Sequence, residues 1–411
     1  MVAGTDVARP SVQKRVAEAH RKAPWVSVAL IAVGIVAVAF LLHLPSFLRG
    51  SIFNPDEAFV ATEAKVLNAG GRLYEDAVDR KPPILPFIYA GAFRITGSDA
   101  LWSVRLLAVG AHAATAGLLF IEARRRFGSR GGIGAAGLYL ASAVALKPED
   151  AQAANFEVFM LPVMTAAVAL GARGRTFAGG VALGAATLVK QTAATTLLPL
   201  AYLAWRRGRS RELLRLAAGA VIPLVVAALI VGPRNLFRWS FTDSGGYLDL
   251  EGVSAGFRLG AENSHDFLLA NAAFLVLLPL AWRHRREDGD LWLWLIAAAI
   301  GVATGFRFFG HYYLQLAPPL ALLAARPLAT ARRPLVATVA VLAAVPALWF
   351  VGEAFDAGHT RADITGQVSG YLRRHTGPDD RIFVWGHLPE IYWQSDRLPA
   401  TRFVTTGLLT G

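Results

Sequence analysis

Eleven apolar runs, at residues 25–44, 101–122, 131–147, 157–172, 176–189, 191–205, 213–231, 266–282, 291–305, 312–325 and 335–352, alternate with short clusters of arginine and lysine. A chain of this pattern hides its backbone polar groups from lipid by forming helices that cross a bilayer. Composition agrees: 55% of the 411 residues are hydrophobic and only 17% charged, more apolar than a soluble globule needs. Several runs are shorter than the ~20 residues that span comfortably, so neighbouring helices must shield them or the bilayer must thin. The basic clusters at 124–130, 173–175, 206–215, 283–286 and 326–333 fall at every second connection. A sixth cluster, Arg9, Lys14, Arg15, Arg21 and Lys22, precedes the first run. All six assign one face to the cytoplasm. The same clusters account for the net charge of +12 without any need for a nucleic-acid partner. The first run is too long for a signal-peptide core and lacks a small-residue cleavage site, so it reads as a retained span.

The expected organisation is a cytoplasmic segment 1–24, a transmembrane domain 25–352 of about eleven helices, and an extracytoplasmic tail 353–411. Within the first external loop, 45–100, the stretch PPILPFIYAGAFRITG is apolar but short and carries Arg94. Counting it as a span would reverse every later loop, so it is taken as a tilted or re-entrant helix. Ahead of it, Ala58, Val60, Ala61, Ala64 and Leu67 recur at helical spacing, as in a helix lying on the membrane surface, and Gly70 and Gly71 stop it. The tail reads as a small α/β unit: a helix in QVSGYLRRH, a strand in RIFVWG, a helix in PEIYWQSD and a final strand-like run. That last run opens into something further, so either the tail is short or the chain continues beyond Gly411. With no cysteine, thiolate nucleophiles, disulfides and Cys-ligated metals are excluded.

The polar residues with chemical potential gather on the external loops. Asp56 and Glu57 follow Asn54 and Pro55 just beyond the first span. A carboxylate there is wet yet partly desolvated, which suits a general base; it would equally serve as a helix cap. Tyr74, Asp76, Asp79, Arg80 and Lys81 follow in the same loop, with Lys81 directly before Pro82. A lone lysine there is also an ordinary snorkelling anchor. The second loop is acidic, and Glu157 opens an apolar helix, a costly place for an acid without a cationic partner. Lys190 and Gln191 occupy the turn of a helical hairpin, where either a phosphate or a carboxylate would explain the charge. Arg307, His311, Tyr312 and Tyr313 make a polar aromatic turn before a further span, though tyrosine at an interface is common. Acids and cations mixed on one face are what a reaction with a phosphate leaving group requires.

The segment PDEAFVATEAKVLNAGGRLYEDAVDRKPPILPFIYAGAFRITGSDALWSVRLLAV resembles the first-loop signature of GT-C glycosyltransferases. NFEVFMLP, LVKQTAA and FFGHYYLQLAPPLALLAA continue the likeness in order through about residue 325, and bacterial protein O-mannosyltransferases and lipid A aminoarabinose transferases are the nearest groups. The resemblance implies a GT-C bundle with interfacial helices. It also implies an inverting transfer of a sugar, with mannose expected, from a polyprenyl-phosphate donor to a hydroxyl of a glycolipid, polysaccharide or protein. By motif position Asp56 is then the base, with Glu57 beside it, and Glu157 matches the second-loop acid. The donor phosphate falls to Lys81, Arg80, Lys190, Arg307 and His311; acceptor or substrate contacts fall to Tyr74, Asp76, Gln191 and Tyr312. A divalent metal stays open. Arginine-over-lysine and alanine-rich usage points to a bacterial plasma membrane. A transporter or flippase of a lipid-linked sugar is the alternative, but it calls for polar residues midway along its helices, where this chain has mostly Ala, Leu, Val and Gly. A non-catalytic scaffold acting through the tail is the third reading.

Overall fold

The computed structural model describes residues 28–48, 52–243, 253–356 and 361–408, and these are predominantly helical. The basic N-terminal cluster and part of the 232–265 loop lie outside them. Helix α1 (Val28–Leu42) is followed by α2 (Pro55–Asn68), α3 (Ile84–Thr96), α4 (Trp102–Val144), α5 (Phe156–Ala172), α6 (Thr176–Thr187) and α7 (Leu197–Val231). Then come α8 (Val253–Ala270), α9 (Ala272–Trp282), α10 (Gly289–Ala303), α11 (Ala317–Thr330), α12 (Arg333–Asp356), α13 (Arg361–His375) and α14 (Glu390–Ser395).

Two of these are helical hairpins. α4 has 43 residues but breaks at Gly128, where φ is 83° and ψ 177°, a backbone that favours glycine. Its limbs fold back on each other, since His112 Nδ1 lies 3.0 Å from the Tyr139 hydroxyl. α7 breaks at Gly208 and Arg209. Leu200 and Leu216 share one buried cluster, whereas a straight helix would hold them about 24 Å apart. Both reversals coincide with basic clusters, so each long helix supplies the two apolar runs read from the sequence. The run 266–282 differs: the chain bends by 83° between α8 and α9, at Asn271, rather than forming one straight helix. Asn271 donates its side-chain amide to the Phe267 carbonyl at the bend, where a polar side chain offers the backbone an alternative to helical bonding.

The short helices are indeed covered by neighbours. Residues 317–325 of α11 are all buried, packed chiefly on α4 and α9. α6 and α7 approach until their backbones touch: a Cβ at Gly180 or Gly184 would collide with the carbonyls of Leu216 or Ala220. The loops sort to two ends. At one, Glu122 pairs with Arg125, Arg126 and Arg173, Asp290 with Arg126, and Asp288 with Arg326. Five connections predicted to share a face therefore meet around one polar cavity of about 350 Å³, to which Arg206 also contributes. The other end carries the loops with the candidate site.

α2 has the expected extent but does not lie on a surface. One side packs Val60, Ala61 and Ala64 into the main core, and Phe59 on the other contacts Tyr392 and Val404 of the tail. The tail closes over a face that helical spacing alone leaves polar. α3, at 13 residues, is about 20 Å long and cannot cross ~30 Å of hydrocarbon. In the tail, the expected strands are extended segments with single bridges, Ile382 with Pro399 and Val78 with Phe403, and no strand is formed among the described residues. The reason is where the hydrogen bonds go: Val78 N–H, in the first loop, donates to Arg402 O at 2.9 Å, so this tail segment pairs with the loop and not with a sheet partner.

Candidate active site

The site begins at the N-terminus of α2. Asn54, extended at φ −136°, caps the helix by accepting from Asp56 N–H at 2.9 Å, and its amide donates to Glu149 O at 3.2 Å. Pro55 sits in the first turn, where its missing N–H costs nothing. The Asp56 side chain, 27% exposed, accepts from Lys81 Nζ at 2.8 Å. Lys81 is held in turn: the Tyr74 hydroxyl donates to its carbonyl at 2.7 Å, and its ammonium stands 4.4 Å above the Phe156 ring.

A second and third acid–base pair come from other loops. Glu157, in the first turn of α5, is ion-paired with Lys190, whose ammonium lies 3.6 Å from the centre of the Tyr312 ring. Asp150 Oδ1 accepts from both Nδ1 and the backbone N–H of His311, at 2.7 and 2.9 Å. That approach needs Gly310, since a Cβ there would run into the Asp150 carboxylate. Burial would push the Asp56 carboxyl up, but Lys81, then His311 and Lys190, outweigh it and hold it below the usual carboxylate range. Burial would lower the His311 pKa, yet the carboxylates of Glu157 and Asp150 raise it above the ordinary value. The three pairs thus act on one another as a single cluster.

Two further acids stand behind Lys81. Glu63 is wholly buried, with neither carboxylate oxygen hydrogen-bonded, and burial, with Asp79 nearby, raises its pKa well above the ordinary value. Asp79 is pushed up to about 6 by burial, with Asp56 adding to the shift and Lys81 opposing it.

Of the residues singled out in the sequence, Asp56, Lys81, Glu157, Lys190, His311 and Tyr312 come together. The others do not. Glu57 is turned away and buried, with both oxygens engaged by Arg105 at 2.8 and 2.7 Å. One hundred degrees of helical rotation from Asp56 points it at α4. Arg80 donates to Gly407 O in the tail at 3.2 Å. Tyr74 is buried with its hydroxyl committed to Lys81 O and near Ser240, so it positions Lys81 and is not open to an acceptor. Asp76 is exposed and caps its own turn by accepting from Arg72 N–H at 2.8 Å. Gln191 ties two loops, donating to Arg80 O and Ser240 O, each at 2.8 Å. Arg307 is buried between Phe306 and Phe308, both at positive φ. Sequence reasoning missed Asp150 as a partner of His311, Arg105 as the clamp on Glu57, and Glu63. Only the cost of a charge among apolar residues marked them, and that signal names no partner.

This arrangement, a bundle of short and hairpin helices with charged pairs gathered at one end, has counterparts among known proteins. The family described as dolichyl-phosphate-mannose-protein mannosyltransferase matches residues 80–234, which include Lys81, Glu157 and Lys190. Among solved structures, ArnT from Cupriavidus metallidurans bound to undecaprenyl phosphate superposes with a TM-score of 0.64 at 16% identity, over 92% of this chain and 86% of that one. An Archaeoglobus fulgidus oligosaccharyltransferase, solved with zinc and sulfate, gives 0.57 at 12% identity, over 90% of this chain and 62% of its own. The same enzyme tethered to an acceptor peptide gives 0.58 at 13%, over 92% and 64%. No curated protein matches the sequence.

Proposed function

We propose that the chain is an inverting glycosyltransferase that moves a sugar, mannose in our reading, from a polyprenyl-phosphate carrier to an acceptor hydroxyl on the face opposite its basic clusters. The observation that carries this reading is the convergence of Asp56–Lys81, Glu157–Lys190 and Asp150–His311 at one end of a GT-C bundle. The likeness to ArnT, solved with undecaprenyl phosphate, supports the donor class. The acceptor oxygen forms a bond to the anomeric carbon as the bond from that carbon to the phosphate oxygen breaks. The hydroxyl proton passes to Asp56, and the charge left on the lipid phosphate is met by Lys81, Lys190 and His311.

The pairing of Asp56 with Lys81 has a consequence for this mechanism. Paired, the carboxylate is a weak base; a donor phosphate that draws Lys81 toward itself relieves Asp56 of its nearest cation and strengthens it when substrate is present. Burial lowers the Lys190 pKa, and Glu157 opposes that shift while aiming the ammonium. A divalent metal would need ligands not already engaged, and among the described residues no group of three or more His, Asp or Glu side chains is placed to hold one.

The test is transfer by the purified full chain in detergent, with polyprenyl-phosphate mannose as donor and mass spectrometry of copurifying lipids to identify carrier and acceptor. Asp56→Asn keeps the cap geometry but cannot take the proton, and a drop of about 10² to 10⁴ in rate with donor still bound is expected. Lys190→Gln retains a donor to Glu157 while removing the charge, and donor KM should rise roughly 10- to 100-fold, the worth of one charge-assisted bond. Transfer at the wild-type rate by Asp56→Asn would refute the base assignment. Movement of the lipid-linked sugar across proteoliposomes without transfer would establish the flippase instead.

A further inference from the structure

At the end of the bundle remote from the charged cluster, a groove of about 690 Å³ opens between the second limb of α4 and α12, floored by Leu328 of α11. Its walls are small and apolar, Gly137 and Ala141 facing Ala340 and Ala344, and Arg130 and Arg333 stand at its mouth. Both arginines are exposed, and among the described residues neither has an ion pair, side-chain hydrogen bond or ring contact. This contrasts with the neighbouring cluster, where Arg125, Arg126, Arg173 and Arg326 are all ion-paired with Glu122, Glu287, Asp288 or Asp290.

We infer that this groove is a site for an anionic glycerophospholipid of the leaflet that bears the basic clusters, with its phosphate on Arg130 and Arg333 and an acyl chain between α4 and α12. Three features carry the inference. Two unneutralised guanidinium groups at one mouth make a fork suited to a phosphodiester. From Arg130 to Ala141 a helix rises about 16 Å, close to the ~15 Å of one leaflet's hydrocarbon, so the groove fits a chain that ends at the midplane. A zwitterionic headgroup would bring an ammonium toward the two arginines, which disfavours it.

The donor's carrier is a poor occupant. α11 leads from the His311 turn to Thr330, so the groove mouth lies about 20 Å along the bundle axis from Lys190 and His311, where the proposed mechanism requires the carrier phosphate. The groove between α1 and α4, of about 1000 Å³, supplies an internal contrast: it is larger and apolar, but no charged residue lines it. A lipid there gains no selectivity for charge. Only the exclusion of the carrier rests on the glycosyltransferase reading; the groove and its two arginines stand without it.

The experiment is native mass spectrometry of the full chain, released from detergent and titrated with phosphatidylglycerol or phosphatidylethanolamine of matched acyl chains. The wild type should retain one phosphatidylglycerol at least tenfold more tightly than phosphatidylethanolamine. Arg130→Ala combined with Arg333→Ala should abolish that preference, and since neither side chain has a partner among the described residues, the double variant should keep its melting temperature. Gly137→Leu should block retention with both arginines in place, because a side chain at 137 enters open space and not a neighbour. Unchanged preference in the double variant overturns the headgroup site. Undiminished retention in Gly137→Leu overturns the groove, and stoichiometric displacement of the phospholipid by polyprenyl phosphate would assign the site to the carrier.

Discussion

At the scale of single residues, the site is a set of acids each matched to one cation, and His311 shows what the matching does. Its imidazolium is sustained by Glu157 and Asp150 against the cost of burial, so it stays charged above the pH at which a free histidine loses its proton. If His311 meets the leaving phosphate, transfer falls as pH rises through this elevated value. Asp150→Asn removes one of the two raising carboxylates, and the alkaline limb of kcat/KM for the donor should move to lower pH. A profile that keeps its position, with only the amplitude changed, would show that His311 is not the titrating group. Asp56 was legible as a candidate because Asn-Pro-Asp-Glu is a strong helix start just outside a span. Lys81 as its partner was not legible, because the ammonium reaches Asp56 through a turn whose course Tyr74 fixes from within the fold.

At the scale of elements, the N-terminus of α2 is fastened by Glu57. Its carboxylate takes two bonds from Arg105 on α4 and one from Ala154 N–H in the second loop at 3.3 Å, while Arg105 also donates to Ser46 O at 2.6 Å. The two segments that carry site residues, α2 and the second loop, are thereby locked to each other and to α4. Arg105→Ala would strand a buried carboxylate, which costs about 3–5 kcal/mol, and thermal unfolding in detergent should show the loss. Glu57→Gln leaves a hydrogen-bonding group and should cost less, with donor KM little changed; an unaltered melting temperature for Arg105→Ala would show that the clamp is dispensable. Helix extents were readable to within a few residues for α2, α5 and α12, since apolar runs bounded by proline, glycine and charge are local signals. The bend at Asn271 was not, because an apolar run reads the same straight or broken.

At the scale of the whole molecule, charge is sorted by end. Five connections with arginine clusters meet around shared carboxylates at one pole, and the three acid–base pairs meet at the other. We expect the arginine pole to be cytoplasmic. Reporters fused at Gly128, Gly208 and Gly377 test this: with a reporter active only outside the cytoplasm, Gly377 alone should give signal, and activity at Gly208 would reverse the topology.

Hydrophobicity and charge are local properties, so the alternation of runs and clusters was enough to specify a helical membrane protein, its two unlike poles and the loops that hold its reactive groups. What the tertiary structure decided is which acid meets which base. Asp56 and Lys81 are 25 residues apart, Glu157 and Lys190 33, Glu57 and Arg105 48, and Asp150 and His311 161. Each pairing follows from how helices pack and where their connecting loops land. Side-chain reach is a few ångströms, and only the packed bundle sets positions that finely.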